Sequence, residues 1–188
     1  MKLLVLTAPS GAGKTTIARR LMDEVPGLRF SVSATTRDPR PAEAHGVHYF
    51  FLSPEEFTAR IDAGDFVEHE EVYPGRFYGT LREEVERTAR EPDVRAVVLD
   101  VDVKGALNVK RLYGGHARTL FIQPPSLAAL ADRLHQRGTE DEERIAVRLE
   151  RAKMELSYAG EFDVVVVNDD LETAVAETVS LTEAFLSS

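Results

Sequence analysis

The sequence contains no cysteine. That absence removes disulfides, thiolate catalysis and cysteine-ligated zinc or iron–sulfur centres, and it fits a reducing compartment. No apolar run approaches the roughly 20 residues of a membrane span. The opening stretch, MKLLVLTAPSG, has a short apolar run without the layout of a signal peptide. Positive charge is scarce: 23 Lys and Arg stand against 32 Asp and Glu, a net charge of −9. A general nucleic-acid binder would carry a basic footprint, so that class is set aside. A basic pocket for a small anion remains compatible with an acidic surface. The five histidines show no metal-ligand spacing. The expectation is a soluble cytoplasmic protein with no nucleic-acid, membrane or obligatory protein partner.

What is present is an ordinary globular balance, 43% hydrophobic and 29% charged over 188 residues, which suffices for one domain with a buried core. Lys2–Thr7 reads as a buried strand, followed by a Gly-rich loop and a helix over Thr15–Val25. β-branched and aromatic clusters follow at Phe30–Thr36 and Val47–Leu52. Ser53-Pro54-Glu55-Glu56 has the form of a capping box with Pro at the first helical position, and Gly64 is a plausible stop. Thr80-Leu81-Arg82-Glu83 repeats the signature before a charged helix to about Arg90. Further strands are expected at Ala96–Val101, Thr119–Gln123 and Val164–Val167. Helices are expected at Ser126–Gln136, stopped near Gly138, from a third box at Thr139 and Glu142 to about Tyr158, and over Leu171–Leu186. Apolar strands alternating with helices imply a parallel sheet covered on both faces. The stretch from Ser33 to about Arg87 breaks the alternation and reads as an inserted subdomain.

Ala8-Pro9-Ser10-Gly11-Ala12-Gly13-Lys14-Thr15 matches a P-loop with Ala in place of the first glycine. Small residues let backbone N–H groups wrap phosphates, and the helix behind aims its positive end at the same anion. Ser10, Gly11, Ala12, Gly13, Lys14, Thr15 and Thr16 are therefore ATP-binding candidates, with Lys14 reaching the β- and γ-phosphates. Thr15 is placed to ligate Mg²⁺, with Asp100, at the end of an apolar strand, as the second contact. A Gly-rich turn that binds nothing is the bland alternative; the apolar strand before and the helix after argue against it.

A P-loop does not name the acceptor. Ser33-Ala34-Thr35-Thr36-Arg37-Asp38-Pro39-Arg40, Gly46–Phe51, Phe66-Val67-Glu68-His69, Phe77-Tyr78-Gly79-Thr80 and Val167-Asn168-Asp169-Asp170 do. Together with the P-loop they resemble the guanylate kinase family, P-loop nucleoside monophosphate kinases, over nearly the whole chain. The resemblance implies an α/β P-loop fold with a parallel core sheet (1–32, 88–125 and 158–188), an inserted GMP-binding subdomain (33–87) and a helical lid (126–157). It implies transfer of the ATP γ-phosphoryl group to GMP or dGMP, with Mg²⁺ as cofactor. Arg37, Arg40, Tyr49 and Tyr78 would hold the GMP phosphate, and Ser33, Glu68, Thr80 and Asp102 would read guanine. Arg133, Arg137 and Asn168 would meet ATP, and Lys14, Arg37, Arg137 and Arg148 would act on the transferring group.

The residue chemistry is compatible. Guanidinium groups suit a dianionic phosphate. A carboxylate accepts from guanine N1–H and its exocyclic amine, a pair of donors adenine does not offer. Taken singly each residue has a plainer reading: solvated arginines, packed tyrosines, a strand-surface glutamate, and arginines engaged in helix salt bridges. Two other functions stay in view, a catalytically inactive protein-binding module and a P-loop kinase with another acceptor. Three departures from the family pattern stand out: Ala8, a Tyr73–Phe77 turn one residue longer, and Lys104 where Gln is expected.

Overall fold

The computed structural model describes residues 1–136 and 142–188. The expected stop at Gly138, the box residue Thr139 and the candidate Arg137 lie outside the described residues. Five strands form a parallel sheet: β1 (Leu3–Thr7), β2 (Leu28–Phe30), β7 (Ala96–Asp100), β8 (Ala117–Gln123) and β9 (Val164–Val167). Their order is β2-β7-β1-β8-β9. Alternate side chains face opposite sides of a strand, and both sides are buried here. Leu3, Val5, Val97 and Leu99 pack on α4 (Val103–Tyr113). Leu4, Leu6 and Val98 pack on α1 (Lys14–Glu24), while α7 (Leu171–Ser187) covers the same side. This explains the continuous apolar runs in the sequence.

Four strands build a second sheet in the order β4-β3-β6-β5: β3 (Ala34–Thr35), β4 (Phe50–Phe51), β5 (Phe66–Tyr73) and β6 (Arg76–Leu81). The Phe30–Thr36 cluster is thus two strands in two sheets, because the chain crosses between them at residues 31–33. β5 and β6 form a hairpin around Pro74-Gly75, with Gly75 at φ 74°. The register slips between Glu71 and Tyr73, so an extra residue is absorbed as a bulge in β5. Behind this sheet, α2 (Pro54–Asp62) buries Phe57, stacked 4.4 Å from Phe66 and 5.4 Å from Phe77.

The Ser53 capping box is formed: Ser53 Oγ accepts from Glu56 N–H, and the Glu56 carboxylate accepts from Ser53 N–H at 2.8 Å. Ser53→Ala is expected to cost about 1 kcal/mol and to lower Tm by about 2–4 °C in a chain of this size, measurable by calorimetry. The second expected box is absent. Helix α3 (Arg82–Ala89) starts after Leu81 with no side-chain cap. Thr80 is in β6, and its hydroxyl is committed to Glu68 instead. Among the described residues the two remaining α-helices are α5 (Leu127–Gln136) and α6 (Glu142–Leu156).

Candidate functional site

A cleft of about 630 Å³ opens between the two sheets, over the C-terminal ends of β1 and β7. Ligands of open α/β sheets bind at this edge. One wall is the loop from β1 to α1. Gly11 at φ 96° and Gly13 at φ 103° hold backbone conformations that side-chain-bearing residues rarely adopt. Helix α1 begins directly behind Gly13, with no acidic residue in its first turn to occupy its positive end. Ser10, Gly11, Gly13, Lys14, Thr15 and Thr16 all border the cleft.

Lys14 forms an ion pair with Asp100, which β7 places beside β1 through the pairing of Leu6 with Asp100. The two predicted metal contacts, Thr15 and Asp100, therefore reach the same cleft. Arg148 projects from α6, and its guanidinium donates to Ser10 Oγ at 2.7 Å. Asn168 follows β9 and is buried; its side-chain amide donates to the Ala12 carbonyl at 2.7 Å. Arg133 donates to the Asn168 carbonyl at 2.9 Å.

The opposite wall is acidic. Glu68 is 8% exposed and accepts from Thr80 Oγ1 at 2.6 Å. Burial pushes its carboxyl up to about 7, against the lowering effect of the Thr80 bond; Asp102 and Glu70 add to the rise. Asp102 caps α4, accepting from Gly105 N–H at 2.8 Å. Gly105 lets Glu68 approach closely, since a Cβ there would meet Glu68 Oε2 at 2.7 Å. Burial and the neighbouring Asp102 raise Glu70 as well. Arg151 of α6 stands 3.8 Å from Glu70 and donates to Glu155 at 2.9 Å.

Ser33, Tyr49, Glu68, Tyr78 and Asp102 reach the cleft; Arg37, Arg40 and Thr80 do not border it. Thr80 acts from behind Glu68. Arg37 is held in fork geometry by Glu43, at 2.6 and 2.7 Å, and lies over the Tyr49 and Phe51 rings. Arg37 beside it, and then the Arg40 N–H, hold the Glu43 carboxyl at about 2. The Arg40 side chain is exposed. Lys104 is exposed on α4, in a groove shared with His69 and Arg111. Sequence reasoning missed Glu43 and Glu70 and gave Arg151 no role. Glu70 was findable from Glu68 once β5 is known to be a strand, because residues two apart share a face. Glu43 left no local signal.

A strand, a glycine-bearing anion loop, a lysine and a helix N-terminus at the sheet edge define a P-loop nucleotide-binding protein, here with a second, acid-lined wall facing the loop. The family model "Guanylate kinase" matches residues 1–185. A guanylate kinase of Salinibacter ruber is 60% identical over 99% of this chain and 97% of its own length. One from Bacteroides thetaiotaomicron is 49% identical over 99% and 90%. The crystal structure of guanylate kinase from Anaplasma phagocytophilum superposes with a TM-score of 0.74 at 31% identity, covering 97% of this chain and 85% of that one. The chain belongs to the guanylate kinase family.

Proposed function

We propose that the protein transfers the γ-phosphoryl group of ATP to GMP, giving ADP and GDP. The observation that carries this reading is one cleft with Lys14 on one wall and buried Glu68 on the other. Full-length similarity to guanylate kinases supports it. Residues 33–87 are assigned to GMP, residues 126–157 to a lid, and the remainder to the core. Glu68, with Ser33 and Asp102, takes the guanine edge. Tyr49 and Tyr78 take the GMP phosphate. Arg37 and Arg40 supply positive charge behind them, Arg37 being released from Glu43 when phosphate arrives.

The P-loop holds the ATP phosphates, with Lys14 on the β- and γ-groups. Arg148 is hydrogen-bonded to Ser10 of the loop and adds charge there. An oxygen of the GMP phosphate forms a bond to the γ-phosphorus while the bond from that phosphorus to the β–γ bridging oxygen breaks, and ADP leaves. The attacking oxygen is already ionised, so no strong general base is needed. Closure of the walls excludes water and limits ATP hydrolysis. Among the described residues no cluster of three or more His, Cys, Asp or Glu forms a metal cage. The Thr15 hydroxyl and Asp100 carboxylate are oxygen donors of the kind that hold Mg²⁺ together with substrate phosphates. When bound there, Mg²⁺ supplies charge neutralisation on the phosphates. Among the described residues no helix is long and apolar enough to cross a membrane, and we assign the reaction to the cytoplasm.

The test is ADP formation from ATP with Mg²⁺ and GMP, dGMP, AMP, CMP or UMP offered separately. Turnover with GMP and not with AMP is expected. Turnover with a different acceptor would overturn the guanine assignment. Inactivity toward all five in a folded, ATP-binding protein would overturn the kinase reading.

A further inference from the structure

The geometry points to Asn168 as a positioning residue that aims the backbone of the phosphate loop, a role beyond the adenine contact that family resemblance suggests. Asn168 is 5% exposed and is not among the residues bordering the cleft. Its side-chain amide donates to the Ala12 carbonyl at 2.7 Å. Ala12 is itself fully buried, whereas Gly13 borders the cleft.

The consequence follows from peptide planarity. The Ala12 C=O and the Gly13 N–H belong to one trans peptide unit and point in opposite directions. Fixing the carbonyl on Asn168 therefore turns the Gly13 N–H away from Asn168, toward the concave side where phosphate is held. Among the described residues no protein acceptor takes that N–H. A bond made on the buried side of the loop thus orients a donor on its open side. The contact also explains the glycine. At Gly13 a Cβ would overlap the Asn168 amide, so the loop can approach only without a side chain.

Asn168 is fixed in turn. Its N–H donates to the Gln123 carbonyl at 2.8 Å, and its carbonyl accepts from Arg133 at 2.9 Å. The loop is therefore tied to the end of β8 and, through Arg133, to α5. A misplaced donor is costly because oriented N–H groups stabilise charge without reorganising.

This rests on the reading of ATP as phosphoryl donor, and tripolyphosphate separates the alternatives because it has phosphates and no base. In Asn168→Ala, KM for ATP and the inhibition constant for tripolyphosphate are both expected to rise about tenfold, the scale of one hydrogen bond. Asn168→Asp is expected to lose more, since it sets a carboxylate against the Ala12 carbonyl. If ATP weakens while tripolyphosphate does not, Asn168 acts on the base alone and the proposal fails. It fails equally if neither constant changes.

Should both variants misfold, the Asn168 side-chain NH₂ signal in the NMR spectrum of the wild-type protein decides. It is expected to exchange slowly without ligand and to move with tripolyphosphate as well as with ATP. Movement with ATP alone would overturn the proposal. Tripolyphosphate binding followed by calorimetry needs no turnover, so a protein inactive on GMP would overturn the functional reading while leaving this test standing.

Discussion

Lys14→Met is expected to lower kcat by about 10³-fold, the scale of removing one preorganised charge donor from a developing anion. Lys14 starts the helix behind the P-loop and borders the cleft, so its ammonium stands at the proposed triphosphate site. Without ligand it is held by Asp100. That pairing keeps the side chain extended toward the cleft and keeps Asp100 from repelling an incoming phosphate. Methionine retains the length and the packing but neither function. Stability should hardly move, because the pair is partly solvated and such pairs contribute about 0–1 kcal/mol. The measurements are single-turnover GDP formation, Tm, and GMP binding, which should be retained. A kcat within about threefold of wild type in a folded variant would remove Lys14 from the mechanism.

The sequence shows the P-loop side of the site more clearly than the acid side, and the reason is physical. The loop from β1 to α1 obeys local rules: an apolar strand, glycines where φ is positive, and a lysine at the helix start all lie within about a dozen residues. Val97 and Leu99 belong to one face and Ala96 and Val98 to the other, and all are apolar because both faces are covered. The second sheet obeys no such rule. The middle of β5 reads Glu68-His69-Glu70-Glu71, polar on both faces, since one face meets the cleft and the other meets solvent. Alternation vanishes there, and the hairpin with it. Thr80 followed by Glu83 has a capping pattern, yet the nearby Glu68 carboxylate takes the hydroxyl. A tertiary partner outcompeted a local one. Arg37 finds Glu43 through the turn between β3 and β4, a contact that no periodicity announces.

Glu68→Gln is expected to lower kcat/KM for GMP by about 10⁴-fold, because sites built on substrate hydrogen bonds discriminate on that scale, while ATP binding is unchanged. An ionised carboxylate accepts from two adjacent donors at once. A carboxamide accepts from one and sets its own NH₂ against the other. Glu68 is fixed for this duty by Thr80 on its flank and by the bare Gly105 beneath it. Burial lifts its carboxyl to about 7, so GMP must find the ionised fraction. The wild-type kcat/KM for GMP should therefore climb about tenfold per pH unit below 7 and level off above it. The second ionisation of the GMP phosphate, near pH 6, adds a lower limb that Glu68→Gln retains while the limb near 7 disappears. Stability runs the other way. The ordinary glutamate value here is 4.5; between it and about 7 the folded chain holds a proton that the unfolded chain has released. The contribution of Glu68 to stability must then fall as pH rises through that window and stay flat above it. At about pH 8 Glu68→Gln should melt higher than wild type while scarcely using GMP. A Glu68→Gln variant whose kcat/KM for GMP stays within about tenfold of wild type would show that Glu68 is not the acceptor of guanine, and a wild-type profile without a limb near 7 would show that its carboxyl is already ionised across that range.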